Sequence, residues 1–236
     1  MSARFRLSRF AYRYGGGVLG RNLAATIWAI FLALGTGAAS PAAAEPFTIV
    51  ALGDSLTAGY GLPPEDGFVP QLQRWLDAKG AGAAVINAGV SGDTTAGGLA
   101  RTDWALVPET DAVIVTLGGN DLLRGLPPEE ARANLDAILD KTDARGLPAL
   151  LVPMIAPGNY GPDYKAAFDA IYPALAESHG ARLGPAFLAP ILTQTDQTAA
   201  LRDLMQPDGL HPNAAGVALI VETLGPEVLA LIGAAN

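Results

Sequence analysis

The stretch Phe47-Thr48-Ile49-Val50-Ala51-Leu52-Gly53-Asp54-Ser55-Leu56 decides how the rest of the chain is read. Its first part is an almost unbroken apolar run. That is the pattern of a parallel strand covered on both faces, not the alternation of a half-exposed one. Gly53, Asp54 and Ser55 then put small and polar residues where such a strand ends. The runs Ala83–Ile86, Ala112–Leu117 and Ala149–Val152 repeat the pattern. Successive runs start roughly 30 to 37 residues apart, the length of a strand plus a crossover helix.

Helical patterns fill the intervals. Phe68, Leu72, Trp75 and Leu76 recur at helical spacing, as do Ala131, Leu135, Ile138 and Leu139. A third helix is expected over Tyr164–Ser178 and a weak fifth strand near Arg182–Phe187. The C-terminal residues Val217, Ile220, Val221, Leu224 and Val228 form an amphipathic helix that Gly225-Pro226 is expected to interrupt. The expected architecture is a three-layer α/β domain on a mostly parallel, five-stranded sheet.

Residues 1–44 read as a signal peptide rather than as part of this domain. Arg4, Arg6, Arg9, Arg13 and Arg21 form a basic start, an apolar stretch runs from Leu23 to Leu34, and Ala42-Ala43-Ala44 fits a small-residue cleavage site. An uncleaved membrane anchor is the alternative, which Gly35, Gly37, Ser40 and Pro41 weaken. No twin arginine is present, so the general secretory route is expected, with a periplasmic or secreted product. The expected mature domain, 45–236, holds 10 basic and 23 acidic residues once the five leader arginines are removed, a net charge of −13. Such a surface repels nucleic acid and anionic headgroups, so neither nucleic-acid binding nor stable membrane insertion is expected of it. Cysteine is absent, which excludes a disulfide framework, thiol catalysis and thiolate metal sites.

In open α/β sheets, functional groups gather in loops leaving the carboxyl ends of strands. The least ordinary local sequences sit there: Gly53-Asp54-Ser55-Leu56, Ser91-Gly92-Asp93, Gly118-Gly119-Asn120-Asp121, Ala156–Pro162 and Asp208-Gly209-Leu210-His211-Pro212. Ser55 is either a nucleophile awaiting a base or a helix N-cap. The chain holds two histidines. His179 reads as a solvent-facing helix end, which leaves His211 as the candidate base. Asp208, three residues earlier, is placed to accept a hydrogen bond from its ring, or to form a local turn without chemistry. Gly92 offers a backbone N–H and Asn120 a side-chain amide to a developing oxyanion, though turn geometry alone also accounts for either. Gly15–Gly20 resembles a phosphate loop but follows no strand. No histidine pair supports a zinc site, and Asp54 with Asp121 is a weak basis for glycosidase chemistry.

Gly53-Asp54-Ser55-Leu56, Gly92, Gly118-Gly119-Asn120-Asp121 and Asp208-x-x-His211 resemble, in order, the four blocks of the SGNH (GDSL) hydrolases. Asn87–Thr94, Asn159-Tyr160-Gly161 and Ala170-Ile171-Tyr172-Pro173 resemble the bacterial periplasmic acyl-CoA thioesterase, lysophospholipase and arylesterase branch. The resemblance implies a flavodoxin-like sheet and a Ser55–His211–Asp208 triad acting on a small-molecule acyl ester or thioester through an acyl-enzyme. It implies oxyanion donors from the Ser55 and Gly92 N–H groups and the Asn120 side chain, with no metal and no organic cofactor. Gly92 is carried over, not Gly89, which stands where close relatives often have serine. A noncatalytic binding module and a carbohydrate O-deacetylase are the alternatives. Leu122, Leu123, Leu126, Met154, Ile155 and Tyr160 either pack loops onto the core or line an acyl groove.

Overall fold

Phe47–Gly53 forms strand β1, whose last five residues are buried, as a strand covered on both faces requires. The structure, a computed structural model, describes residues 46–235; the leader assigned to 1–44 lies outside the described residues. Ala83–Gly89 is β2, Ala112–Thr116 β3, Ala149–Leu151 β4 and Arg182–Leu183 β5. They lie in the order β2-β1-β3-β4-β5, and each neighbouring pair is parallel. The helices are α1 (Ser55–Ala58), α2 (Phe68–Ala78), α3 (Thr95–Ala105), α4 (Gly119–Arg124) and α5 (Pro128–Asp143). They continue with α6 (Pro162–Asp169), α7 (Ile171–His179), α8 (Ala189–Leu192), α9 (Gln197–Leu204) and α10 (Ala214–Ala235). This is the doubly wound, flavodoxin-like order, with the core between the sheet and its two helical layers.

The sequence runs locate the strands, with differences at their ends. β2 continues beyond Ile86 to Gly89 because Asn87, Ala88 and Gly89 stay in register with Ala51, Leu52 and Gly53. β5 shrinks to two exposed residues, since this edge strand pairs only with β4.

Two helix expectations are corrected. Tyr164–Ser178 is not one helix but two, α6 and α7, meeting at Ala170. Pro173 has no N–H for the Asp169 carbonyl, and proline is tolerated in the first turn of the helix that restarts there. In contrast, Gly225-Pro226 does not interrupt the last helix, and α10 runs through Pro226. One backbone hydrogen bond is forgone, but Val217, Ile220, Val221, Leu224, Val228 and Leu231 are all buried along its length. Burial of that stripe outweighs a single missing bond. Although α10 is long and apolar enough to cross a bilayer, this stripe is packed in the core.

His179 does end a helix, but its ring is not solvent-facing: the side chain is 9% exposed. Nδ1 lies 2.6 Å from Asp143 and Nε2 2.8 Å from Asp136, both on α5. Burial pushes its pKa down, and the two carboxylates outweigh that and hold it above the ordinary value. The ring therefore ties α7 to α5.

Gly225 shows how the last helix is accommodated. A Cβ there would lie 2.7 Å from the Trp75 ring on α2, whereas one at Gly233 would meet nothing within 4 Å. Gly225→Ala is therefore expected to destabilise the fold by about 1–2 kcal/mol through overpacking, despite better helix propensity. On the same helix, Gly233→Ala is expected to stabilise by about 0.5 kcal/mol. Urea unfolding of both variants reads the opposite signs; equal effects would mean that Trp75 does not constrain the helix.

Candidate active site

The chain passes from β1 to β2 on one side and later returns to β3 on the other, which opens a crevice at the carboxyl ends of β1 and β3. Ser55 follows β1 and Asn120 follows β3, so both stand at this switch point. Asp54, not Ser55, is the N-cap: its Oδ1 accepts the Leu56 N–H at 3.0 Å. That frees the Ser55 hydroxyl, at the first helical position. The short helix α1 lies hard against two strand ends. A Cβ on Gly53 would come within 2.0 Å of Thr57 Oγ1, and one on Gly89 within 2.3 Å of the Ala58 backbone nitrogen. Gly89, unlike a serine, lets α1 close onto β2.

Ser55 Oγ lies 2.9 Å from His211 Nε2, and His211 Nδ1 lies 2.7 Å from Asp208 Oδ2. The other carboxylate oxygen of Asp208 accepts the Leu210 and His211 N–H groups at 2.9 and 3.1 Å. This turn fixes the carboxylate before the ring reaches it. The hydrogen bond from His211, reinforced by the Leu210 N–H, holds the Asp208 pKa down at about 2. The Tyr60 ring packs on the imidazole with centroids 4.7 Å apart and planes at 40°. The arrangement can carry a proton from a serine hydroxyl to an imidazole steadied by a carboxylate.

Asn120 sits in the first turn of α4, its Nδ2 3.5 Å from Asp54 Oδ2. The turn before it is fixed from two sides. Tyr172 Oη donates to the Leu117 carbonyl at 2.9 Å, its phenol kept protonated by burial. Buried Asp121 accepts the Thr95 N–H at 2.8 Å and the Thr95 hydroxyl at 2.7 Å. Gly92 lies on the loop after β2, exposed and at φ +87°, a conformation that favours glycine. It is absent from the cavity wall that Ser55, Asn120 and His211 share. Arg124 Nη2 holds its carbonyl at 2.7 Å. Arg101 binds the same loop to the strands: Nε donates to Asp93 at 2.6 Å, Nη1 to the Ala88 carbonyl and Nη2 to the Gly53 carbonyl, both at 2.7 Å.

Beside Ser55 opens a cavity of about 450 Å³. Leu122, Leu123, Met154, Ile155 and Tyr160 line it, as an acyl groove would require. Leu126 does not; its carbonyl instead accepts the Tyr164 hydroxyl at 2.9 Å. Leu188 and Leu192 of the α8 segment complete a wall that no sequence pattern pointed to. Tyr60, Arg101 and Tyr172 were likewise unmarked as site residues. Among the described residues, Asp140, Asp143 and His179 have metal-ligand spacing, but none lines the cavity and both His179 nitrogens already face carboxylates.

Burial, partly offset by the Leu56 N–H and by His211, raises the Asp54 carboxyl from 3.8 to about 6. A group that holds its proton more tightly when folded adds stability below the unfolded pKa and loses it as pH rises through the folded one. The rise from 3.8 to about 6 corresponds to a loss of about 3 kcal/mol across that window. Asp54→Asn keeps an acceptor for Leu56. It is expected to match the native stability near pH 4 and to exceed it by about 1–3 kcal/mol near pH 8. Urea unfolding at the two pH values tests this, and a variant no more stable at pH 8 would refute it.

Residues 51–219 match the GDSL-like lipase/acylhydrolase family. Esterase TesA of Pseudomonas aeruginosa is 38% identical over 186 residues, 78% of this chain and 89% of its own. The Escherichia coli K12 protein named thioesterase 1/protease 1/lysophospholipase L1 is 36% identical over 191 residues, 80% of this chain and 87% of its own. Among solved structures, the psychrotrophic esterase EstA from Pseudoalteromonas sp. superposes with a TM-score of 0.70 at 37% identity, covering 77% of this chain and 96% of that one. A family match over most of the chain, and relatives similar along nearly all of the described fold, make this protein a member of the GDSL-like lipase/acylhydrolase family, the SGNH hydrolases, and a hydrolase of ester bonds.

Proposed function

We propose that Ser55, His211 and Asp208 form the catalytic triad of a serine esterase that works through an acyl-enzyme. The observation that carries this is the unbroken chain of contacts, 2.9 Å from Ser55 Oγ to His211 Nε2 and 2.7 Å from His211 Nδ1 to Asp208 Oδ2. His211 takes the hydroxyl proton as Ser55 Oγ bonds to the acyl carbon. The carbonyl π electrons move to oxygen, where the Ser55 N–H and the Asn120 amide receive the negative charge; the Gly92 N–H, on a loop outside the cavity wall, is the third donor of the same reading. Collapse breaks the bond to the leaving alcohol or thiol, which departs with the proton from His211. Water then repeats the sequence on the acyl-enzyme, with His211 as base, and releases the carboxylic acid. Asp208 holds the ring in register and stabilises the imidazolium; its low pKa keeps it anionic wherever His211 works. No metal or organic cofactor enters these steps.

The apolar cavity supports an acyl group longer than acetyl as substrate, on an ester or thioester. In the same reading residues 1–44 are an export leader and Glu45–Asn236, a compact unit of its own, works in the periplasm or outside the cell. N-terminal sequencing of the mature enzyme is then expected to begin at Glu45.

A fluorophosphonate is expected to label Ser55, and Ser55→Ala to lose several decades of turnover. Asn120→Ala is expected to lower kcat by about 10²–10³, the scale of one oxyanion donor. Across p-nitrophenyl esters, kcat/KM is expected to climb from acetyl toward medium chains by up to about fourfold per methylene and then level off. Label on another residue, with Ser55→Ala still active, would overturn the mechanism. A preference for acetyl esters throughout, on acetylated sugars above all, would overturn the substrate.

A further inference from the structure

The cavity accounts for one arm of an ester and leaves the other unassigned. The leaving group takes its proton from His211 Nε2, so it must lie on the imidazole side of Ser55, at the mouth of the cavity. Two large side chains stand exposed there, Tyr60 at 54% and Leu210 at 46%. Leu210 and His211 belong to the cavity wall, whereas Tyr60 lies outside it, against the imidazole.

Tyr60 is not a loose surface residue. Its N–H donates to the Ser55 carbonyl at 3.1 Å, and Gly59, at φ +84°, turns the chain out of α1 just before it. Gln206 Nε2 donates to the Tyr60 carbonyl at 2.8 Å and to the Pro212 carbonyl at 3.0 Å. The backbone that carries the ring is thus anchored to the residue before Leu56 and to the residue after His211. An aromatic ring on so firmly held a backbone, half in solvent and beside the proton donor, offers a flat apolar face that loses little conformational freedom when something stacks on it.

We propose that Tyr60, flanked by Leu210, is the platform for the leaving group, and that it selects esters whose leaving group carries a flat aromatic ring. This rests on the Ser55–His211 reading, which places the leaving group on that side. Tyr60 then acts on substrate directly, in acylation, and leaves hydrolysis of the acyl-enzyme to the same groups whatever alcohol departed. Exposure and charge support this: Tyr60 packs on His211 yet remains more than half exposed, and no lysine or arginine lines the adjoining cavity to draw an anionic leaving group instead.

The test uses three butyrates whose alcohols differ little in acidity: benzyl, cyclohexylmethyl and ethyl. For each, kcat/KM is measured on the native enzyme, Tyr60→Phe and Tyr60→Ala. The expected result is a benzyl-to-ethyl ratio that falls about tenfold in Tyr60→Ala, the scale of one aromatic pair, and is retained in Tyr60→Phe. The cyclohexylmethyl-to-ethyl ratio is expected to fall by less. An unchanged benzyl-to-ethyl ratio in Tyr60→Ala would overturn the platform, because a residue that merely steadies His211 slows all three esters alike. Equal falls for benzyl and cyclohexylmethyl would overturn the aromatic selectivity. Fluorophosphonate labelling of the same preparations keeps the two readings apart. Failure to label Ser55 in the native enzyme defeats the triad, whereas normal labelling with an unchanged ratio defeats the platform alone.

Discussion

Arg101 holds the site to the sheet. Its guanidinium reaches the Gly53 carbonyl at the end of β1, the Ala88 carbonyl near the end of β2, and the Asp93 carboxylate on the loop beyond. The Gly53 carbonyl already accepts the Val90 N–H at 3.0 Å, so Arg101 adds a second, charge-assisted donor at that strand end. A planar fork with several donors meets all three at once, which the single ammonium of a lysine could not do in the same geometry. Gly53 stands two residues before Ser55 and Asp93 one after Gly92, so a single rigid group sets the strand that leads to Ser55 against the loop that carries Gly92. Gly53 and Gly89 complete the constraint by letting α1 press against both strand ends.

Two carboxylates near His211 are driven in opposite directions. Asp54 is buried and pushed up to about 6, while Asp208 is more open, bonded to His211 and held at about 2. Geometry and charge therefore agree on which of them serves the imidazole. Asp208 touches Nδ1 and, with its pKa held at about 2, remains an anion well below neutral pH. Asp54 caps α1 and lies near the Asn120 amide, a buried place that costs stability at neutral pH. Retaining a charge there fits the general tendency of active sites to hold groups that the fold alone would not favour.

What was legible in the sequence was local. The unbroken apolar runs found the strands, because covered parallel strands such as β1, β3 and β4 have no polar face to show, although the same pattern in β2 belongs to a half-exposed edge strand. The loops at their ends held the unusual residues, and Asp208 with His211 could be paired because a turn places them three apart. What was not legible depends on contacts between remote positions. Arg101 meets Gly53 across 48 residues, and Tyr172 meets Leu117 across 55. Gly225-Pro226 looked like a break until Trp75 and the buried stripe of α10 showed what compensates it. Leu126 looked like part of a groove because it is apolar and close in sequence to Leu122 and Leu123, yet its turn is held by Tyr164. Periodicity reports which face is buried and says nothing of which distant side chain covers it.

The make-up of the cavity wall bears on how selective such an enzyme can be. Apart from Ser55, His211, Asp54 and Asn120, the polar side chains on it are Asn159, Tyr160 and Thr193. A pocket of aliphatic walls separates substrates weakly, by at most about 0.8 kcal/mol for each methylene it buries, whereas a pocket that must satisfy its own buried polar groups rejects misfits far more strongly. If this cavity receives the acyl group, as proposed, a surface rich in leucine ranks acyl groups by length and shape and accepts many of them. The same physics is consistent with relatives whose names run from esterase to thioesterase and lysophospholipase. On the proposed reading, discrimination between leaving groups falls to Tyr60, outside that wall, with Leu210 beside it.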